Sequence, residues 1–237
     1  MTATARELSL PLGASGTVTA RHFAASSAGA PLLVLAHGAG ADQRQRFMVT
    51  VASNLAAAGV QVVTFNFLYT EQRRRSPDRA PLLEDTWRAA LERIDAELSP
   101  KQAVVVGGKS MGGRIASQVL AAPPATPAWS RVRGLVLLGY PLHPPGKPDA
   151  PRTAHLPRIR VPILLAQGTR DSFGTRDEVT QVFDAIPARV TYNFIEGGDH
   201  SFAVPKSSGL TERDVLNGIT LRTAEWIKRL PRPDRPE

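Results

Sequence analysis

The sequence predicts an α/β fold, a doubly wound and mostly parallel sheet with helices on both faces and no large cap domain. Two observations predict it. Apolar runs rich in β-branched residues recur along the chain and end in glycine-containing turns. They are continuous rather than alternating, which is the pattern of strands buried on both faces. Segments of helical period separate them, and that alternation joins parallel strands through right-handed crossovers.

Taken in order, residues 1–25 carry Gly13 and Gly16 between apolar runs without a helical period, which predicts one or two short antiparallel strands. Pro31–Ala36 (P-L-L-V-L-A) is the first buried strand. Arg44–Ala58 has Phe47, Val51 and Leu55 four apart and is therefore a helix. Val60–Phe67 is the next strand, followed by a proline-rich connection, Tyr69–Pro81, and a helix over Leu82–Leu98. Ala103–Val106 runs into a helix over Met111–Ala121. Val132–Leu138 is followed by a second proline-rich connection, Tyr140–Pro157, then by the strand Val161–Ala166 and a helix over Arg176–Ala185. Val190–Ile195 alternates more, as a strand nearer a sheet edge does, and Thr211–Leu230 forms the last helix. The chain shows no repeat and no dividing linker, so 1–237 reads as one domain with a flexible tail at 231–237. Both proline-rich connections follow the carboxyl ends of strands, where such sheets bind ligands. They are too short to build a lid domain, so an open site is expected.

Composition narrows the chemistry. With no cysteine in 237 residues, a thiol nucleophile, thiolate metal ligation and disulfides are excluded, and a cytoplasmic location is expected. No stretch approaches the roughly 18 apolar residues of a membrane span, and the first residues lack the pattern of a secretion signal. The net charge of +8 is scattered through R-Q-R, Q-R-R-R, R-V-R and R-P-R-P-D-R-P rather than gathered on one face, which disfavours nucleic acid as a partner. The sequence is silent on oligomeric state.

Residues 103–113, A-V-V-V-G-G-K-S-M-G-G, satisfy two patterns. A relaxed phosphate loop ends in Gly108-Lys109-Ser110, and G-x-S-x-G, the strand-to-helix turn that exposes a nucleophilic serine, spans Gly108–Gly112. A phosphate loop needs a flexible backbone ahead of its lysine, whereas Val104, Val105 and Val106 belong inside a strand. Gly112 and Gly113 are each unfavourable by about 1 kcal/mol relative to alanine at a helix start, which close strand-to-helix packing explains. The second pattern therefore fits better, and Ser110 is the candidate nucleophile; its competing reading is an ordinary helix cap.

A serine nucleophile needs a base, an acid and an oxyanion site. In the chain order of this chemistry the histidine comes last, which removes His22 and His37 as the base. His143 and His155 precede any plausible acid and read as residues bonding their own loop. His200, in E-G-G-D-H-S-F, remains. Asp171 lies just past Val161–Ala166 and is the candidate acid; Asp199 is its rival but, as the neighbour of His200, is badly placed to accept the Nδ1 proton. The expected oxyanion donors are the backbone amides of Met111 and Ala39, with Gly40 in reserve. His37 reads as a residue that pins the Ala39 loop more readily than as a reactant. Tyr69, Tyr140 and Phe202 are expected to line the substrate pocket, and Lys109 either attracts an anionic substrate or is a solvated charge. Arg73-Arg74-Arg75 reads as a solvated run rather than an anion clamp. No metal ligands share a suitable spacing, and no cofactor is expected.

The stretches H-G-A-G-A, F-N-F-L-Y-T-E, G-K-S-M-G-G-R, L-G-Y-P-L-H-P-P-G-K-P, Q-G-T-R-D-S-F-G and G-D-H-S-F, in this order from Pro31 to Phe202, resemble the α/β-hydrolase superfamily. The resemblance is specifically to a dienelactone-hydrolase-like group of small, lidless bacterial hydrolases. It implies the superfamily fold and a serine hydrolase acting on a small carboxylic ester, thioester or lactone. Leu68 departs from the group's pattern, where proline is expected. Related members with scaffold roles share the fold, so the resemblance also admits an interaction module with little or no turnover.

Overall fold

The computed structural model describes residues 5–27, 29–98, 103–122 and 126–231. Its eight strands form one sheet in the order β1-β2-β4-β3-β5-β6-β7-β8. β1 (Arg6–Pro11) and β2 (Thr17–Phe23) pair antiparallel, and β2 pairs antiparallel with β4 (Gln61–Phe65). From β4 onward every pairing is parallel, through β3 (Leu32–Ala36), β5 (Val104–Lys109), β6 (Val132–Leu138), β7 (Ile163–Gly168) and β8 (Val190–Ile195).

Because side chains alternate across a strand, each central strand feeds two cores. Leu32, Val34, Val104, Val106, Leu135 and Leu137 face one side, where α3 (Ala80–Leu98), α4 (Met111–Leu120), α5 (Pro127–Ser130) and α6 (Arg176–Phe183) bury residues such as Trp87, Ile115, Trp129 and Phe183. Leu33, Leu35, Val105, Val136 and Leu138 face the other, covered by α1 (Arg46–Ala57) and α7 (Glu212–Lys228), which also pack on each other. Strands buried on both faces must be apolar throughout, which is why their runs read as continuous. β8 sits at the edge and is only partly covered, so its burial is mixed. Capping boxes start the last two helices, Thr175 with Glu178 in α6 and Thr211 with Asp214 in α7, and satisfy amides that a helix start leaves open.

The structure departs from the sequence reading in ways that shape the site. The strand expected over Val60–Phe67 stops at Phe65, because Asn66 Oδ1 accepts the Gln43 amide at 2.9 Å and the Phe67 amide donates to His37 Nε2 at 3.3 Å. These side-chain bonds pull the chain out of the sheet into a short helix, α2 (Leu68–Glu71), inside the first proline-rich connection. Leu68 opens that helix, a position where proline is tolerated because its amide has no intrahelical partner, so its departure from the family pattern leaves the local fold intact. The strand expected to end at Val106 continues to Lys109. A Cβ on Gly107 would lie 2.2 Å from the Val136 carbonyl oxygen, so this glycine serves sheet packing rather than turning. Apart from Pro231, the expected tail lies outside the described residues. No helix among the described residues is long and apolar enough to cross a membrane.

Candidate active site

The strand-to-helix turn at Ser110 is built by close approach. A Cβ on Gly108 would stand 2.4 Å from the Gly113 nitrogen, and one on Gly112 would stand 2.4 Å from the Ala36 carbonyl oxygen. Only glycine lets β5, α4 and the end of β3 come this near. The turn forces Ser110 to φ 49° and ψ −117°, a strained conformation for a residue with a side chain. Two bonds hold it there: the Ser110 amide donates to Leu138 O at 3.0 Å, and the Arg114 amide donates to Ser110 O at 3.1 Å. The hydroxyl is thereby raised at the carboxyl end of the sheet.

Parallel strands bring their loops to this same end. Ser110 Oγ lies 2.8 Å from His200 Nε2, and His200 Nδ1 lies 2.7 Å from Asp171 Oδ2. The three residues come from the loops after β5, β7 and β8, up to 90 positions apart. Asp171 is fully buried. Its Oδ2 also accepts from Gln167 Nε2 at 2.9 Å and its Oδ1 accepts the Phe173 amide at 2.8 Å, so the carboxylate is oriented and acceptor-loaded. With Nδ1–H committed to Asp171, the neutral ring offers Nε2 as the acceptor for the serine proton. Phe173 lies against the ring with centroids 4.2 Å apart and restricts its rotation. Asp199 instead accepts the amides of Ser201 and Ala203 at 2.8 and 2.9 Å, shaping the loop rather than orienting the ring.

The loop after β3 faces the serine. His37 is fully buried; its Nδ1 donates to Gly38 O at 2.8 Å, and its Nε2 accepts from the Phe67 amide and the Thr70 hydroxyl, each at 3.3 Å. Burial holds its pKa below the ordinary value, consistent with a neutral ring in this bonding pattern. His37 therefore pins the loop to α2. Gly38–Ala41 closes a tight turn, with the Ala41 amide 3.3 Å from Gly38 O and Gly40 at φ 71°. Ala39 lines the Ser110 groove, as does Met111, whose amide opens α4 where no intrahelical acceptor exists.

The groove holds roughly 470 Å³ and is open to solvent, with Gly38, Ala39, Lys109, Ser110, Arg114, Arg152, Phe173 and His200 on its walls. Three residues expected on its walls lie elsewhere. Tyr69 sits over His37 and Phe67, with its ring buried, and borders a separate groove with Arg44 and Arg73–Arg75. Tyr140 is buried against Phe183 and donates its hydroxyl to Arg152 O at 2.7 Å. Phe202 turns away from the groove to stack on Phe47 at 5.9 Å, in an apolar pocket beside α7. Each aromatic follows a strand end or the histidine, but a ring that large completes the core wherever the loop folds back. Lys109 remains at the groove, yet is not a solvated charge. Its Nζ donates to His200 O at 2.6 Å and lies 5.1 Å from the Phe202 ring centre, and burial lowers its pKa to about 8.

Several contributors were not visible in the sequence. Gln167 is buried and bonds Asp171, Gly174 O at 2.9 Å and both backbone groups of Tyr140, tying the acid's loop to the β6 loop. A polar residue closing the apolar run V-P-I-L-L-A-Q was its only signal. His155 Nε2 pairs with Ser117 Oγ at 2.7 Å inside the protein, neither residue lining the Ser110 groove, and Ser117 Oγ also reaches Arg114 O at 2.6 Å. This second serine–histidine pair braces α4 against the second proline-rich connection. His143 bonds Pro144 O and Glu178. Among the described residues no group of three or more His, Asp or Glu side chains could hold a metal ion.

A sequence model for a family described as an alpha/beta hydrolase domain matches residues 29–228. Solved structures share the fold. A dienelactone hydrolase from Anabaena variabilis superposes with a TM-score of 0.74 at 18% identity, covering 98% of this chain and all of that one. A Xanthomonas campestris α/β serine hydrolase without a lid gives 0.70 at 18% identity, covering 100% and 99%. The esterase domain of a Rhodothermus marinus protein gives 0.70 at 15% identity, covering 96% and 99%.

Proposed function

The chain belongs to the alpha/beta hydrolase domain family, and from that premise we propose that it is a serine hydrolase of small carboxylic esters, thioesters or lactones. The observation that carries the reading is the continuous hydrogen-bonded chain from a strained, groove-facing Ser110 through His200 to buried Asp171. Strain at Ser110 is retained for a purpose that an ordinary helix cap does not need.

In this mechanism Ser110 Oγ attacks the substrate carbonyl carbon as His200 Nε2 takes its proton. Asp171 keeps Nδ1–H oriented and stabilises the imidazolium. The tetrahedral oxyanion is held by the amides of Met111 and Ala39, an assignment supported by both residues lining the groove beside Ser110. Collapse expels the alcohol or thiol, which receives the proton from His200 and leaves an ester on Ser110. Water, deprotonated by His200, then attacks that ester and releases the acid and free Ser110. The open groove supports this reading over a scaffold whose serine is sealed off.

The test is hydrolysis of p-nitrophenyl esters of increasing acyl length by the native chain, Ser110→Ala and His200→Ala, with fluorophosphonate labelling of Ser110. Turnover is expected in the native chain and a loss of at least about 10³-fold in each variant. Native rates equal to buffer, together with no labelling, would sink the proposal.

A further inference from the structure

Two guanidinium groups flank the candidate nucleophile without a carboxylate of their own. Arg114 stands four residues after Ser110, one turn along α4, and Arg152 comes from the second proline-rich connection; both line the Ser110 groove. The Arg114 Nε is buried and has no hydrogen-bond partner, while its Nη1 reaches only the neutral Gln118 Oε1 at 3.2 Å. Arg152 makes no side-chain hydrogen bond or ion pair among the described residues. Carboxylates nearby are already engaged. Asp78, also on the groove wall, binds Arg74 at 2.5 Å and the Tyr69 amide, and Glu84 binds Arg88 at 3.0 Å.

Burial holds the Arg114 guanidinium below its ordinary pKa, and the nearby Arg152 charge pushes it the same way, with Tyr140 and Glu84 opposing more weakly. Two guanidinium groups without an ion-pair partner on one groove wall favour the binding of an anion there. The position is also well braced. Arg152 N donates to Leu142 O at 2.7 Å, Arg152 O accepts the Tyr140 hydroxyl at 2.7 Å, and the Ser117–His155 pair links α4 to the same connection. Planar guanidinium groups match the paired oxygens of carboxylate and phosphate.

We propose that Arg114 and Arg152 form an anion-binding subsite beside Ser110, so that the substrate carries, besides its scissile ester, thioester or lactone, a carboxylate or phosphate group. The specificity claim rests on the serine hydrolase reading above; the anion subsite itself does not.

The test compares mono-4-nitrophenyl glutarate with 4-nitrophenyl valerate, esters alike in chain length that differ in a terminal carboxylate. The native chain should favour the glutarate by roughly ten- to hundredfold in kcat/KM, the range of charge-assisted hydrogen bonds. Arg114→Met and Arg152→Met should erase most of that ratio, and Arg114→Lys should restore part of it. The ratio is read against the valerate rate of the same variant, so a general folding defect does not imitate the result. A native ratio near one, unchanged in the variants, would overturn the substrate claim. Binding of glutarate and of inorganic phosphate to Ser110→Ala by calorimetry reads the subsite without turnover. Saturable binding that Arg114→Met abolishes supports it even if neither ester is hydrolysed, and the tighter of the two ligands identifies the anion. No saturable binding of either would refute it.

Discussion

Replacing Gly112 by alanine should destabilise this protein although the same change in a helix normally stabilises. In α4 the added Cβ would lie 2.4 Å from Ala36 O and 2.6 Å from His37 O, about 1 Å inside ordinary contact. Both obstacles are backbone atoms, which cannot rotate away. Overpacking of this kind costs ~1–3 kcal/mol or more, whereas the helix gains about 1 kcal/mol from alanine. With rigid backbone on both sides the cost lies at the upper end of that range, leaving a net loss of roughly 2 kcal/mol, or a fall in Tm of about 4–8 °C for a chain of this size. Gly218 in α7 is the control, because it is exposed and a Cβ there meets nothing within 4 Å. Gly218→Ala should raise Tm by up to about 2–4 °C. The assay is thermal unfolding of both variants beside the native chain, followed by far-ultraviolet circular dichroism at one pH and scan rate. If Gly112→Ala melted at or above the native temperature, the account of why glycine stands at the Ser110 turn would be wrong. Ester turnover in that variant should fall as well, since relieving the clash shifts Ser110 and the Met111 amide against the Ala39 loop.

Asp171→Asn should lower kcat on activated esters by about 10³–10⁴-fold with little change in KM, and Asp199→Asn far less; equal losses would reverse the two roles. Lys109, whose buried pKa lies near 8 against an ordinary 10.5, binds fewer protons folded than unfolded between those values. Stability contributed by this group therefore rises as pH increases from about 8 to 10.5, and denaturant midpoints of native and Lys109→Met protein should diverge across that window. Midpoints that track in parallel would show that Lys109 is not buried as described. His155, with burial depressing its pKa from 6.5 to about 4, contributes stability that is present above 6.5 and lost as pH falls towards 4. His155→Gln should flatten that acid slope, and an unchanged slope would assign acid lability to other groups.

Strand and helix order, the parallel centre and the antiparallel start were legible because a strand buried on both faces must be apolar at every position. Ser110, Asp171 and His200 were legible for a related reason: each sits at the carboxyl end of a strand, next to glycines that local geometry demands. The expected pocket aromatics were not, because Tyr69, Tyr140 and Phe202 occupy the same kind of position and sequence does not record which way a loop folds back. Lys109 shows the same limit. Adjacent to the serine in the chain, it bonds the carbonyl of a residue 91 positions away.

Sequence alone determined the layered architecture and nominated three residues that meet in one hydrogen-bonded chain, since both follow from short-range constraints of period, turn strain and strand end. Only the tertiary structure decided what surrounds them. Gln167 became the brace of the acid, His37 the pin of the Ala39 loop, and Arg114 with Arg152 the unpaired cations at the groove. Those roles depend on which partners a side chain finds and which it lacks, and partners are set by loops meeting at one end of the sheet.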